Sequence, residues 1–449
     1  MESTEKFMRT VRVRNEQQLG TLGHLLVAVA DANGDVGEVR LIQETSRYTI
    51  RDISIYAEDE THMDRILLAI GSNPGTRILA IRDEVLELHQ KGKIAVRSRI
   101  SVDNLYVLRR VYTPGVAEVC LRIAKDPSLA RQYTAISHLV AIVTDGTAVL
   151  GLGNIGPVAG MPVMEGKAML MESLVGLSGV PILLNSTDPD KIIETVATIA
   201  PTFSAIHLED ISAPRCFEIE ERLQALLDIP VMHDDQHGTA VVATAALMTA
   251  SRSSNIRLEN VQIGQVGLGA AGNAIGRMLM KLTGNPVLGA DLSETALLFF
   301  ENAGGKKSNL KEIMEECDVV VATTGAPGLI KPDMVRKGQI ILALSNPVPE
   351  IDPEVALNAG AAFAADGKSV NNVLGFPGIL RGAVDSYATH ISYEMYLAAA
   401  TAIADETPQD ELVPNPLDKK VHRAVARAVA QKAMQQGIAR AEFVPYAEE

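Results

Sequence analysis

The stretch Gly267-Leu268-Gly269-Ala270-Ala271-Gly272 constrains this chain more than any other. Three glycines at that spacing allow a tight turn and let a pyrophosphate approach a helix N-terminus, where unpaired N–H groups and the helix dipole favour anions. Asn273–Leu282 has helical character, and a short apolar run then ends in Asp291, near the position of a ribose-binding acid. Asp318–Ala322 and Ile340–Leu344 supply two further buried strands. The pattern predicts a Rossmann-type dinucleotide-binding domain. Asp291 would repel a 2′-phosphate, and Leu292 and Ser293 carry no positive charge, so NAD is expected, with NADP as the alternative. The same glycine spacing recurs at Gly151, Gly153 and Gly156, but Pro157 follows at once and no acid closes a strand about 20 residues later. That copy reads as a strand-turn lining a cleft.

At 449 residues the chain exceeds one ordinary core, so two to three domains are expected. A net charge of −14 argues against nucleic acid and anionic membrane as partners, since both select basic patches. Cys120, Cys216 and Cys317 follow no zinc or CxxC spacing, as expected of inert thiols in a reducing compartment. Met1–Lys6 is polar, so no signal peptide is expected, and apolar runs fall far short of the ~20 residues that span a bilayer. A cytoplasmic location follows.

The first segment alternates at strand period through Val11 and Val13, then repeats Leu19, Leu22, Leu26 and Val29 at helical spacing up to Asn33-Gly34. Val39–Ile42 and Ile50–Tyr56 read as strands, Met63, Ile66, Leu67 and Ile70 as a helical stripe, and Arg77–Ile81 as a closing strand. This β-α-β-β-α-β order, with Gly20 and Gly23 at the first strand-to-helix turn, resembles an ACT domain, a ferredoxin-like α+β module that binds small effectors. Beyond a charged connector, strand-like runs alternate with helices to about residue 390, as in parallel α/β architecture, and the stretch from Leu417 reads as a terminal helix.

Four segments place ionisable groups beside backbone-bending residues: Tyr112-Thr113-Pro114-Gly115, Pro162-Val163-Met164-Glu165-Gly166-Lys167, His207-Leu208-Glu209-Asp210 and His233-Asp234-Asp235-Gln236-His237. In this order, ahead of a dinucleotide fingerprint, they resemble the malic enzyme family. The resemblance implies oxidative decarboxylation of (S)-malate to pyruvate with NAD(P). It implies Glu209, Asp210 and Asp235 as ligands of Mg²⁺ or Mn²⁺, with Asp234 supporting them from behind. Lys167 is then the general base, its pKa expected to be depressed by burial and by the cation, and Tyr112 the general acid that protonates C3. Asn346 is expected at the cofactor and the substrate carboxylate, and Asn371, preferred to Asn372, at the substrate.

The domains expected are an ACT-like 1–88, a malate- and metal-binding α/β domain 89–235, a Rossmann-type domain 236–395 and a helical segment 396–449, in a homodimer or higher homo-oligomer. Two departures from the family stand out. The segment Asp145–Leu150 carries Ala148 where larger members have a carboxylate-binding arginine, and the loop Asp366–Val370 is short. Rival readings are a malolactic-type enzyme that retains NAD and releases lactate, and a catalytically inactive effector sensor.

Overall fold

Strand-period alternation in the first segment becomes β1 (Phe7–Glu16), β2 (Asp35–Glu44), β3 (Tyr48–Ala57) and β4 (Thr76–Arg82), an antiparallel sheet in the order β2-β3-β1-β4. The computed structural model describes residues 7–149, 151–368 and 370–442. The expectation for Met1–Lys6 therefore lies outside the described residues, as does Ser369 of the short loop. Contacts divide the chain into two units, Met1–Ala95 and Val96–Glu449.

In the first unit Val11, Val13, Ile53 and Ile55 pack against Leu25 and Val29 of the helix Thr21–Asp31 and Met63, Ile66 and Ile70 of the helix Glu60–Ser72. Leu19 does not join this stripe. It is fully exposed, because Gly20 takes a left-handed conformation (φ 85°) and the helix starts after it. On the opposite face the cross-strand partners Arg12 and Asp52 meet, and Arg82 joins them.

The second unit holds two parallel sheets. β5 (Leu139–Thr144), β6 (Ser178–Leu183), β7 (Ala205–Leu208) and β8 (Val231–His233) run in the order β6-β5-β7-β8. β9 (Ile263–Val266), β10 (Leu288–Ala290), β11 (Lys306–Lys307), β12 (Val319–Ala322), β13 (Ile340–Ala343) and β14 (Phe363–Asp366) run β11-β10-β9-β12-β13-β14, the doubly wound Rossmann order. β12 and β13 are unbroken apolar runs and β5 is one up to Thr144, as expected of parallel strands buried on both faces, whereas β7 carries His207 and β9 carries Gln265. Replacing Ile206, at the core of the first sheet, with alanine would cost about 2–5 kcal/mol.

The helix Asp234–Ser253 is buried around most of its circumference, and it packs on β8, β13 and the helices Ala270–Thr283 and Tyr393–Asp405. The boundary expected at 235/236 falls in its first turn, and that at 395/396 falls inside the helix Tyr393–Asp405. Neither coincides with a loop, since an apolar helix shared by two sheets leaves no linker between them. The terminal helix is Lys419–Gln435.

Candidate active site

In open parallel sheets, loops leaving the carboxyl ends of the strands gather ligand groups where strand order reverses. The first such place lies between β5 and β7. Glu209 and Asp210 follow β7, Asp234 and Asp235 follow β8, and Lys167 comes from the helix Pro157–Val175, which Pro157 opens at a position where no N–H is missed. Glu209, Asp210 and Asp235 each offer a carboxylate oxygen within 4.8 Å of the others. Lys167 is buried beside them, ion-paired to Asp234 and 3.0 Å from Glu209. Its ammonium also lies 4.5 Å from the centre of the Phe376 ring.

Buried, crowded aspartates should resist ionising, and Asp210, Asp234 and Asp235 are all shifted in that direction. Burial, then Glu209 and Asp235, push Asp210 up to about 8. Burial raises Asp234 and Asp235 as well. Asp210 Oδ2 and Asp234 Oδ1 are buried without a hydrogen-bond partner. Orphaned oxygens on mutually repelling acids are a hard donor set that suits Mg²⁺ or Mn²⁺. The expectation of a depressed Lys167 is reversed by its neighbours: burial works to lower its pKa, but Asp234 and Glu209 raise it well above the usual lysine range.

Asp210 sits at φ 55°, a strained conformation for a non-glycine residue, and its carbonyl accepts from Thr147 N at 3.1 Å and Ala148 N at 3.0 Å. Arg215 clamps the two loops together. Its guanidinium donates to Asp145 Oδ2 (3.0 Å), Thr187 O (2.6 Å), Thr147 Oγ1 (3.0 Å) and Ser212 Oγ (2.9 Å). Ala148 thus lies in a turn that an arginine from elsewhere organises. Sequence reasoning missed Arg215, although a basic residue opening a helix opposes the dipole and so hints at work outside it. It missed His207 too, which bonds Glu209 Oε2 at 2.6 Å and whose pKa burial lowers to about 4.

The two asparagines part company. Asn371 is exposed and accepts from Val373 N at 3.0 Å, capping a short turn. Asn372 donates to Asp234 Oδ2 at 2.8 Å, so the residue turned toward the acids is the neighbour of the preferred one. The two-residue reach from Asn371 to Val373 is ordinary cap spacing. Tyr112 ends the helix Leu105–Val111, is 66% exposed, and takes no part in the hydrogen bonds of the acid cluster.

At the second sheet, Gly267 turns at φ 86° after β9. A Cβ on Gly272 would run into the Gly267 carbonyl and Thr323 Oγ1, whereas one on Gly269 would meet nothing within 4 Å. Tight packing at one glycine and open space at the other suit a pyrophosphate over the helix Ala270–Thr283. Asp291 accepts from Leu268 N and Ser293 N, both at 2.7 Å, which ties the turn to the end of β10 and leaves lone pairs for a ribose. Exposed Asn346 follows β13 and donates to Gly367 O at 3.3 Å. No helix among the described residues is long and apolar enough to cross a membrane.

The sequence profile described as "Malic enzyme, N-terminal domain" matches residues 90–188 and 185–224. NAD-dependent malic enzyme 1 of Bacillus subtilis (strain 168) is 54% identical over 429 residues, covering 95% of this chain and 98% of that protein. The bifunctional malic/malolactic enzyme of the same organism is 44% identical, over 82% of this chain and 96% of its own. Among solved structures, malic enzyme from Pyrococcus horikoshii Ot3 is 41% identical with a TM-score of 0.76, covering 80% of this chain and 92% of that one. The NAD-dependent malic enzyme of Thermotoga maritima is 38% identical with a TM-score of 0.73, covering 78% and 99%. The chain belongs to the malic enzyme family.

Proposed function

We propose that this chain oxidises (S)-malate with NAD, NADP being the lesser substrate, and decarboxylates the product to pyruvate. The observation that carries this is the convergence of Glu209, Asp210 and Asp235 on one point beside Lys167. A divalent cation held there would acidify the C2 alcohol and stabilise the oxyanion left by decarboxylation. A nicotinamide cofactor over the Gly267 turn would take the hydride from C2.

The chain's own groups supply the rest. Lys167 takes the hydroxyl proton. Once the acids' charge is balanced, burial is the influence that remains on its amine, and burial favours the neutral form that a base requires. Asp234 holds that amine in place, and Asn372 holds Asp234. Asn346 and Asn372 orient the substrate carboxylates. Tyr112 is the acid offered for C3. Its exposure weighs against the role, and Tyr112→Phe with normal turnover would leave Lys167, protonated by then, as the donor.

The 1–88 segment is proposed as an ACT-like effector module ahead of a substrate domain and a Rossmann-type domain, in a cytoplasmic homo-oligomer. Equal malate kinetics with and without residues 1–85 would remove the regulatory part of this reading. The enzymatic part is tested by malate oxidation with NAD and NADP in parallel, with Mn²⁺ and with EDTA. Pyruvate with equimolar NADH, abolished by EDTA, is expected. Lactate without net NADH would move the assignment to malolactic chemistry, an activity in the name of one relative.

A further inference from the structure

The sheet β11-β10-β9-β12-β13-β14 reverses its order between β9 and β12. A doubly wound sheet is two mononucleotide-binding halves, and a dinucleotide lies across their junction. The Gly267 turn follows β9 and Asp291 follows β10, so both serve one half. The other half, over the loops after β12 and β13, is left for the nicotinamide.

One buried carboxylate joins those two loops. Glu350, with no exposed surface, accepts from Thr324 N at 2.6 Å and Thr324 Oγ1 at 2.8 Å after β12, and from Ser345 N at 3.3 Å and Ser345 Oγ after β13. Each hydroxyl in turn accepts from a backbone amide, Ser345 from Gly325 N at 2.8 Å and Thr324 from Ala326 N at 3.1 Å. Three consecutive N–H groups are thereby turned toward Glu350 and its hydroxyl neighbours. All four donors to the carboxylate are neutral loop groups, so losing any of them leaves a buried charge short of a partner. Because a trans peptide points its carbonyl opposite to its N–H, the Thr323 carbonyl faces away from Glu350. It abuts the glycine turn instead, where a Cβ on Gly267 would lie 2.6 Å from it. Asn346 follows Ser345 directly.

We propose that Glu350 is a positioning residue for the nicotinamide half of the cofactor. It locks the loop that carries the Thr323 carbonyl to the loop that carries Asn346, so that both stand ready at the crevice before a cofactor enters. Being fully buried, it acts through those loops and touches no ligand itself. This rests on the dinucleotide reading of the glycine turn.

The test compares NAD with ADP-ribose, which has the adenosine and pyrophosphate but no nicotinamide. Both are titrated calorimetrically into the full chain without malate. Glu350→Gln sets an amide that must itself donate among donors, and it should weaken NAD roughly tenfold to a hundredfold while ADP-ribose stays within about threefold of the parent. Ser345→Ala removes one hydroxyl and should weaken NAD by less, again sparing ADP-ribose. Each variant is first matched to the parent by circular dichroism and unfolding midpoint, and Ser345→Ala carries the test if Glu350→Gln does not fold. An equal loss of both ligands would reduce Glu350 to a fastening of the sheet, and unchanged NAD affinity in every folded variant would overturn the proposal outright. A parent that binds neither ligand would overturn the cofactor reading itself, and this proposal with it.

Discussion

Two buried clusters of charge in this molecule are solved in opposite ways. In the first unit Asp52 lies between Arg12 at 2.7 Å and Arg82 at 2.9 Å, so one acid is shared by two cations, with Arg82 Nε left buried and without a hydrogen-bond partner. The Arg12 hydrogen bond holds the Asp52 carboxyl below its usual range. In the second unit four acids share Lys167, and Asp210, Asp234 and Asp235 are all driven upward. In the first arrangement the charges are paired across the strands of one sheet. In the second the aspartates are held together against burial and mutual repulsion, the kind of perturbed cluster that marks a functional site.

The largest test of this contrast removes the one cation. Lys167→Ala should lower malate turnover by about 10²–10⁴-fold while NAD affinity, read by fluorescence titration, stays near the parent value. Turnover within a few-fold of the parent would mean that another group is the base. Next, Arg215→Ala should free the loop that strains Asp210 and weaken Mn²⁺ binding, measured by electron paramagnetic resonance, about 10–100-fold. Unaltered Mn²⁺ affinity would reduce Arg215 to a surface fastening.

A smaller effect belongs to the paired cluster. Asp52→Asn leaves two half-exposed arginines facing each other and should cost about 1–2 kcal/mol. Hydrogen exchange should quicken in β1, β3 and β4 while β5 keeps its protection. The subtlest test is the sign of the pH response. Asp52, lowered in the folded chain, contributes stability above the ordinary Asp value of 3.8 that is lost as pH falls through its folded pKa. Asp210, raised, contributes stability that is full below 3.8 and drains away as pH climbs toward about 8. Metal-free parent should therefore lose thermal stability relative to Asp210→Asn across that window, and Mn²⁺, for which Asp210 is a proposed ligand, should reverse the difference in the parent's favour. Parallel pH profiles for the two metal-free proteins would end the claim that the acids repel one another.

Much of this was readable in advance where neighbours in space are neighbours in sequence. Glu209-Asp210 and Asp234-Asp235 are adjacent pairs leaving apolar strands, and the glycine turn with Asp291 is a local device, so spacing sufficed to find them. Leu19 was misread because periodicity cannot see that Gly20 delays the helix by two residues. Asn371 and Asn372 differ by one place on a single-turn helix, and only its orientation shows which one faces Asp234. The direction of the Lys167 shift could not be read either, since it depends on how many carboxylates crowd one amine.

By itself the sequence determined the family, the doubly wound sheet and the acids that leave two strands of the other parallel sheet, because backbone turns, strand burial and hard oxygen donors are written in short runs of residues. Tertiary structure alone decided that Arg215 ties together the loops around Asp210 and that Asn372, not Asn371, bonds Asp234. It also decided that Tyr112 stands exposed and that Glu350 bonds both Thr324 and Ser345. Each of these is a meeting of side chains far apart in the chain or a choice of facing, and facing is fixed by packing, which no local pattern encodes.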